Sequence, residues 1–93
     1  MKFQWDAGKA SKNEGKHGIA FQEALSAFAD PLSITYPDPM HSFDEDRYLL
    51  LGISAENHVL VVSHVYRADC VQIISARKAT PRERKFYESK ASH

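Results

Sequence analysis

Three β-prone segments in the second half of the chain constrain its fold most strongly. Tyr48–Ile53, Val59–Tyr66 and Val71–Ser75 are rich in β-branched, aliphatic and aromatic residues, which favour strands. Only the turns at residues 52–57 and 67–69 separate these segments. Strands that follow one another through such short turns pair in antiparallel fashion. The sequence therefore predicts an antiparallel meander of three strands.

Two helices are predicted before this meander. Asp6 is a suitable N-cap for a helix that runs from Ala7 to about Lys16. A second helix carries an apolar stripe at helical spacing, and Asp30-Pro31 ends it. The stripe consists of Phe21, Ala24, Leu25 and Phe28. We expect this apolar face to pack on the sheet.

The sequence after the last strand contains a complete set of helix-start signals. Thr80 is an N-cap residue, Pro81 fits the first helical position, and Glu83 completes a T-x-x-E capping box. Two further β-prone segments lie at residues 3–5 and 32–36. The predicted order of elements is therefore one strand, two helices, four strands and a final helix.

The length of 93 residues predicts one domain, residues 1–93, with a thin core. A chain of this size buries only about 60–65 % of the surface that its unfolded form exposes. We therefore predict an α+β fold in which the helices lie on one side of a sheet. Two N-terminal helices pack on a four-stranded, mainly antiparallel sheet, and a short C-terminal helix follows.

The net charge of zero conceals an uneven distribution of charge along the chain. Residues 1–17 hold four lysines and two acids, residues 18–76 hold two arginines and eight acids, and residues 77–93 hold six cations and two acids. If folding brings the two basic ends together, they form a positive patch of the kind that nucleic acids require. The same distribution also suits a protein partner with the opposite pattern.

The segment IISARKATPRERKFYE concentrates positive charge at the end of a strand and the start of a helix. A helix N-terminus presents free N–H groups, and arginines beside it can bind phosphate in a fork geometry. Arg77 leaves the strand, and Arg82 lies in the first helical turn, where positive charge opposes the helix dipole. This placement favours a phosphate site. A solvated helix face in which Arg84 pairs with Glu88 accounts for the same residues.

The histidines do not predict a metal site. His17, His41, His58, His64 and His93 include no pair at i, i+4 spacing and no H-E-x-x-H motif. We therefore expect no metal ion and no other cofactor.

The single cysteine and the apolar runs indicate the compartment. Cys70 has no partner in the chain, so no disulfide is predicted and a reducing cytoplasm is expected. No apolar run approaches the roughly 18 residues that span a bilayer, and the N-terminus lacks the hydrophobic stretch of a signal peptide.

Three segments taken together resemble a known family. They are WDAGKASKNEGKHGIAFQEALSAFADP, EDRYLLLGIS and IISARKATPRERKFYE, which extend from Trp5 to Tyr87. The combination of W-D-x-x-K-x-x-x-N-x-x-K-H-G with a terminal I-S-A-R-K-A is specific. The chain resembles the BrnT family of bacterial type II toxins.

This resemblance implies a fold similar to the RelE and ParE toxins and a ribonuclease activity that arrests translation. It also implies a BrnA-like antitoxin with a ribbon-helix-helix region, which masks the toxin and represses their shared operon. Contact with DNA would then occur only through the antitoxin. The sequence leaves open whether the two proteins form a heterotetramer.

Matching the motifs position by position identifies the polar residues that are characteristic of the family. They are Lys9, Asn13, Lys16, His17, Glu45, Arg47, Arg77, Lys78, Glu83 and Tyr87. We predict that Arg77, His17 and Arg47 are catalytic. The predicted RNA-binding residues are Lys9, Lys16, Lys78, Arg82 and Tyr87. We interpret Asn13 and Glu83 as structural, and we expect Glu45 to pair with Arg47 across neighbouring strands.

RNA cleavage without a metal ion uses the 2′-OH of the substrate as the nucleophile on the adjacent phosphate. It needs a base, positive charge on the phosphate and a proton for the leaving 5′-oxygen. His17 is expected to supply the base or the acid, with Arg77, Arg47 and Arg82 on the phosphate and Tyr87 stacked on a base or donating a hydrogen bond. Electrostatic catalysis by arginines alone is an alternative.

Three other functions remain compatible with the sequence. One is a ParE-like toxin that binds a protein target without cutting RNA. A second is a module that binds nucleic acid or protein and performs no chemistry. A third is a degenerate toxin that still binds its antitoxin.

Overall fold

In the computed structural model, which describes residues 1–91, five strands form one mixed sheet. The elements are β1 (Lys2–Gln4), α1 (Ala7–His17), α2 (Phe21–Ala27), β2 (Ile34–Pro37), a 3₁₀ turn (Pro39–His41), β3 (Arg47–Ile53), β4 (Val59–Arg67), β5 (Cys70–Lys78) and α3 (Pro81–Ala91). The strand order is β1-β5-β4-β3-β2, parallel between β1 and β5 and antiparallel elsewhere. The predicted α+β class is confirmed. The predicted order of elements is confirmed, but the sheet has five strands instead of the predicted four, because the short β1 and β2 both join the meander as edge strands.

The predicted meander of β3, β4 and β5 is confirmed, and it contains one irregularity. The pairing of β4 with β5 shifts from Ser63–Ser75 to His64–Ile73, so Ile74 is an extra residue on β5. Such a bulge redirects the side chains that follow it. As a result, Ile73 faces the side of the sheet that α1 and α2 cover, whereas Ser75 and Arg77 face the side of α3.

Helices cover both faces of the sheet, so the expectation that they lie on one side is wrong. The larger core lies under α1 and α2 and consists of Ile19, Phe21, Ala24, Ala27, Leu50, Leu60, Val62, Ile73 and Ala76. The smaller core lies under α3 and consists of Leu51, Val61, Ala79 and Tyr87. Alternation along β3 and β4 separates these two sets, because successive side chains point to opposite faces. None of the helices in residues 1–91 is long and apolar enough to cross a membrane.

The helix-start signals work as the sequence predicts. The Asp6 carboxylate accepts a hydrogen bond from the Lys9 amide at 2.9 Å. Thr80 and Glu83 cap α3 reciprocally, since the Thr80 amide donates to Glu83 Oε1 at 2.8 Å and the Glu83 amide donates to Thr80 Oγ1 at 3.2 Å. Ala20 precedes α2 without any side-chain cap.

The buried carboxylate of Asp30 joins the ends of several elements. It accepts hydrogen bonds from the Tyr87 hydroxyl at 2.5 Å and from the amides of Ile53 and Leu32, both at 2.9 Å. Burial acts to raise the pKa of Asp30, but these three donors lower it below its usual value. Burial and the Asp30 carboxylate raise the pKa of Tyr87 to about 12. Asp30, which follows α2, therefore links α3 to the end of β3.

The side-chain amide of Asn13 attaches α1 to β5. Asn13 is 6% exposed, and its Nδ2 donates to the carbonyls of Ala76 and Ile19, both at 2.9 Å. Its Oδ1 accepts a hydrogen bond from the Ala76 amide at 3.0 Å. Because β1 pairs only with residues 70–72, the later part of β5 has no neighbouring strand on that side. Asn13 thus supplies at Ala76 the hydrogen bonds that a strand would otherwise make.

We predict that Asn13→Ala lowers the free energy of unfolding by about 2 kcal/mol or more, because each buried backbone group left without a partner costs about 1–3 kcal/mol. Urea unfolding followed by circular dichroism measures this change. Ser11→Ala, at an exposed position of the same helix, is the control and changes stability by less than about 0.5 kcal/mol. Equal stability of the two variants would contradict the structural role of Asn13.

Candidate functional site

The part of the sheet that α3 leaves uncovered forms a polar cleft of about 310 Å³. Three neighbouring strands build its floor, because Ser63 pairs with both Leu49 and Ser75. Its lining residues are Asp38, His41, Arg47, Leu49, Ser63, Ser75 and Arg77. We call it the arginine cleft. Two guanidinium groups, two hydroxyls, one imidazole and one carboxylate converge there.

The guanidinium of Arg77 is held on one edge by a carboxylate. Nη1 and Nη2 of Arg77 donate to the two oxygens of Glu83 at 2.7 and 3.0 Å, and Nη1 also donates to the Lys78 carbonyl at 3.3 Å. The bond to Glu83 raises the pKa of Arg77, and the bond from Arg77 lowers the pKa of Glu83 to about 2. Of the five N–H groups of an arginine, Nε–H and one Nη2–H have no acceptor in residues 1–91. That remaining edge is a fork of the kind that binds phosphate.

The turn between β2 and β3 brings Asp38, His41 and Arg47 to the same cleft. The Asp38 amide donates to the Arg47 carbonyl at 2.9 Å. The Ser42 hydroxyl donates to the Asp38 carbonyl at 2.8 Å and accepts from the Arg47 amide at 2.9 Å. Within the same turn, His41 Nδ1 lies 2.9 Å from Asp38 Oδ2. The turn follows β2 directly and is therefore held to the start of β3 through the backbone of Arg47.

The sequence analysis did not identify His41, Asp38, Ser63 or Ser75 as members of a site. A signal existed for the first two, because Pro39 begins a 3₁₀ turn in which residues three apart lie on one side. For the two serines no local signal exists, since only the pairing of β4 with β5 and the bulge at Ile74 bring them together.

A second cleft, of about 230 Å³, lies between α1 and the free edge of β5. Its lining residues are Lys9, Lys12, Asn13, Lys16, His17, Ile74 and Ser75. We call it the lysine cleft. Ser75 lines both clefts. The basic residues of α1 therefore lie on one side of Ser75, and Arg77 lies on the other. This neighbourhood supports the expectation that the two basic ends of the chain meet.

Several sequence-predicted site residues lie elsewhere. Tyr87 is buried and bonded to Asp30, so its ring is not available for stacking on a base. Lys78 follows Arg77 on β5 and pairs with Leu60, which places it on the opposite face of the sheet. Arg82 is exposed on α3 and lines neither cleft.

The predicted pairing of Glu45 with Arg47 is wrong. Glu45 binds Arg67 instead, through contacts of 2.6 and 3.2 Å at the surface. The guanidinium of Arg47 makes no ion pair within residues 1–91, so it faces the cleft without a carboxylate attached.

Within residues 1–91, one group of side chains could hold a metal ion. Glu23, Glu56 and His58 bring three ligand atoms within 4.8 Å of one another. They lie on α2 and at the turn between β3 and β4 and share no residue with either cleft.

We predict that the unfolding free energy of Glu83→Gln falls less than that of the wild type as the pH is lowered. The pKa of Glu83 is about 2 in the folded protein, below its usual value of 4.5. Its stabilising contribution is therefore complete above about pH 4.5 and disappears as the pH falls towards 2. The difference in unfolding free energy between wild type and Glu83→Gln should shrink over this range in urea titrations.

Thr80→Ala is the matched control, because it removes the same cap without changing a charge. It should lower stability by about 0.5–2 kcal/mol at every pH in this range. A difference between wild type and Glu83→Gln that stays constant with pH would contradict the ion pair with Arg77.

Comparisons with known proteins identify the family and a similar fold. Residues 5–83 match the model of a family described as the ribonuclease toxin BrnT of type II toxin–antitoxin systems. The fold is similar to the 1.1 Å crystal structure of the Brucella abortus ribonuclease toxin BrnT, with a TM-score of 0.61 and 26% identity over 86% of this chain and 97% of that chain. A search of curated proteins finds no match. The family model covers most of the chain, and we conclude that this protein belongs to the BrnT family of ribonuclease toxins.

Proposed function

We propose that this toxin cleaves RNA in the arginine cleft, by an attack of the substrate 2′-OH that needs no metal ion. The observation that carries the proposal is the unused edge of the Arg77 guanidinium. Glu83 fixes the orientation of Arg77, and the Nε–H and Nη2–H groups on the other edge remain able to bind a phosphate. Arg47 lines the same cleft. Two arginines are thus available for the charge that develops on the phosphate in the transition state.

The walls of the cleft suit a phosphodiester. The hydroxyls of Ser63 and Ser75 lie on the floor and can donate hydrogen bonds to phosphate oxygens. Leu49 supplies an apolar surface beside them. A polar cleft of about 310 Å³ is small, so we infer that it takes one phosphate and its adjoining sugar, while the rest of the strand lies outside.

The lysine cleft continues this surface and is proposed to bind the neighbouring part of the strand. Lys9, Lys12 and Lys16 recur along one side of α1, where ammonium groups can follow the phosphates of a single strand. His17 lies at the end of this row. It remains a candidate for proton transfer if the scissile phosphate lies near Ser75.

The chemistry of the donor sets supports metal independence. Divalent metals in nucleases are held by convergent carboxylates, and the arginine cleft presents only the Asp38 carboxylate, which His41 already contacts. The three residues that could hold an ion lie on α2 and at the β3–β4 turn, outside both clefts. Arginine supplies the required positive charge without a metal.

The proposed partner is a ribbon-helix-helix antitoxin that masks the toxin in the cytoplasm and carries the DNA-binding region of the complex. Membership of a toxin–antitoxin family supports a dedicated partner. We expect the product of the neighbouring gene to copurify with this chain and to abolish its ribonuclease activity. Light scattering of the complex would test for two copies of each chain, and a partner without a ribbon-helix-helix sequence would contradict the proposal.

We predict that Arg77→Ala lowers the rate of RNA cleavage by about 10²–10³-fold, the usual effect of removing one group that stabilises transition-state charge. Arg77→Lys should recover only part of this loss, because an ammonium group cannot bind phosphate in a fork. The assay uses single-stranded RNA in EDTA, with and without ribosomes, and detects 2′,3′-cyclic phosphate ends.

Arg84→Ala is the control, because it removes the same charge from the exposed side of α3, outside both clefts. It should cleave at the wild-type rate. Cleavage that appears only when a divalent metal is restored would contradict metal independence. Growth arrest by a protein that cuts no RNA under any condition would favour a toxin that binds a protein target.

A further inference from the structure

We propose that His41, oriented by Asp38, is the general base that activates the 2′-OH in the arginine cleft. This inference rests on the proposed function and extends it. His41 lines the same cleft as Arg47 and Arg77. It belongs to a turn that is closed by the bond from the Ser42 hydroxyl to the Asp38 carbonyl and is held to the backbone of Arg47 at the start of β3. His41 therefore has a side chain that can accept a proton, on a backbone segment that is held in place.

The contact with Asp38 determines which nitrogen of the imidazole can accept a proton. An ionised carboxylate can only accept hydrogen bonds, so His41 Nδ1, at 2.9 Å from Asp38 Oδ2, must be the nitrogen that carries hydrogen. In the neutral ring, Nε2 is then the unprotonated nitrogen. Asp38 is mostly buried, whereas the His41 side chain is 64% exposed. The carboxylate thus fixes the tautomer, and Nε2 has no hydrogen-bond partner within residues 1–91.

His17 lacks such an arrangement. Within residues 1–91, no carboxylate contacts its ring, and the other residues that line its cleft include three lysines and no acid. Neither its tautomer nor its orientation is therefore fixed by the protein. This difference is why the structure favours His41 as the base.

The charged groups that face His41 come from three elements. Asp38 lies in the same turn, Arg47 is at the start of β3, and Arg77 is near the end of β5. A phosphate bound between the two arginines would lie beside His41. Its adjoining ribose could then present the 2′-OH to Nε2.

The proposed step is a transesterification in which every proton has a destination. The 2′-OH gives its proton to His41 Nε2 as the 2′-oxygen forms a bond to phosphorus. The bond between phosphorus and the 5′-oxygen breaks, and the 5′-oxygen takes a proton from water. The imidazolium then returns its proton to solvent, which leaves a 2′,3′-cyclic phosphate and a free 5′-hydroxyl.

The test is the pH dependence of cleavage by His41→Gln. Glutamine keeps polar contacts but cannot act as a base. We expect kcat to fall by about 10²–10⁴-fold, with little change in KM. The acidic limb of the pH profile should disappear. Asp38→Asn should lower kcat less and shift that limb, because Asp38 acts only by positioning the ring. Unchanged pH profiles in both variants would overturn the proposal.

A substrate with sulfur in place of the 5′-oxygen separates a base from an acid. A thiolate leaves without being protonated, so this substrate restores the activity of variants that lack an acid but not of those that lack a base. His41→Gln should remain slow with this substrate. Full recovery of its rate would show that His41 is the acid, which would overturn its assignment as the base.

Two further variants keep the outcome specific. His58→Gln makes the same change at the β3–β4 turn, outside both clefts, and should keep the wild-type kcat and pH profile. If the acidic limb of the pH profile disappears in His17→Gln and not in His41→Gln, the general base is His17 and the proposal for His41 is overturned. If Arg77→Ala is inactive and His41→Gln is fully active, this inference is overturned and the proposed function stands. If the wild-type protein never cuts RNA, both are overturned.

Discussion

The hydrogen bonds between the Asn13 amide and the backbone of Ala76 are the contact on which the whole site depends. Ala76 lies between Ser75, which lines both clefts, and Arg77, which carries the proposed phosphate fork. One buried side chain therefore sets the position of α1 along the strand that carries the main arginine. It also closes a sheet edge that would otherwise present unpaired backbone groups. Together with the packing of Ala10 on the core, this contact holds the lysine row of α1 beside β5.

Carboxylates then orient the groups that would act on RNA. Glu83 caps α3 and binds Arg77 through both oxygens, so the start of a helix and the direction of a guanidinium depend on one residue. Asp38 similarly orients the ring of His41. The acids in a chain of zero net charge thus fix the positions of the cations and do not merely balance them. Such fixed positions lower the reorganisation that charge stabilisation requires during a reaction.

The features that could be predicted from sequence are those that depend on near neighbours. The meander follows from β-prone segments and short turns, and the caps at Asp6 and Thr80 follow from hydrogen bonds that span three residues. Burial of Tyr87 could not be predicted, because its partner Asp30 is 57 residues away. The bulge at Ile74 has no local signature either, although it sets the face on which Arg77 lies. The resemblance to a family identified Arg77 and Arg47, but their joint cleft with His41 required the long-range pairing of strands.

The central claim is that α1 and β5 present one continuous surface to RNA. Chemical-shift mapping with a single-stranded 2′-O-methyl oligonucleotide, which lacks the free hydroxyl needed for cleavage, tests it directly. The account predicts that amide signals from residues 9–17 and from residues 75–78 shift together, with the same apparent Kd and the same dependence on salt. Shifts confined to one of these segments, or two separate affinities, would contradict it.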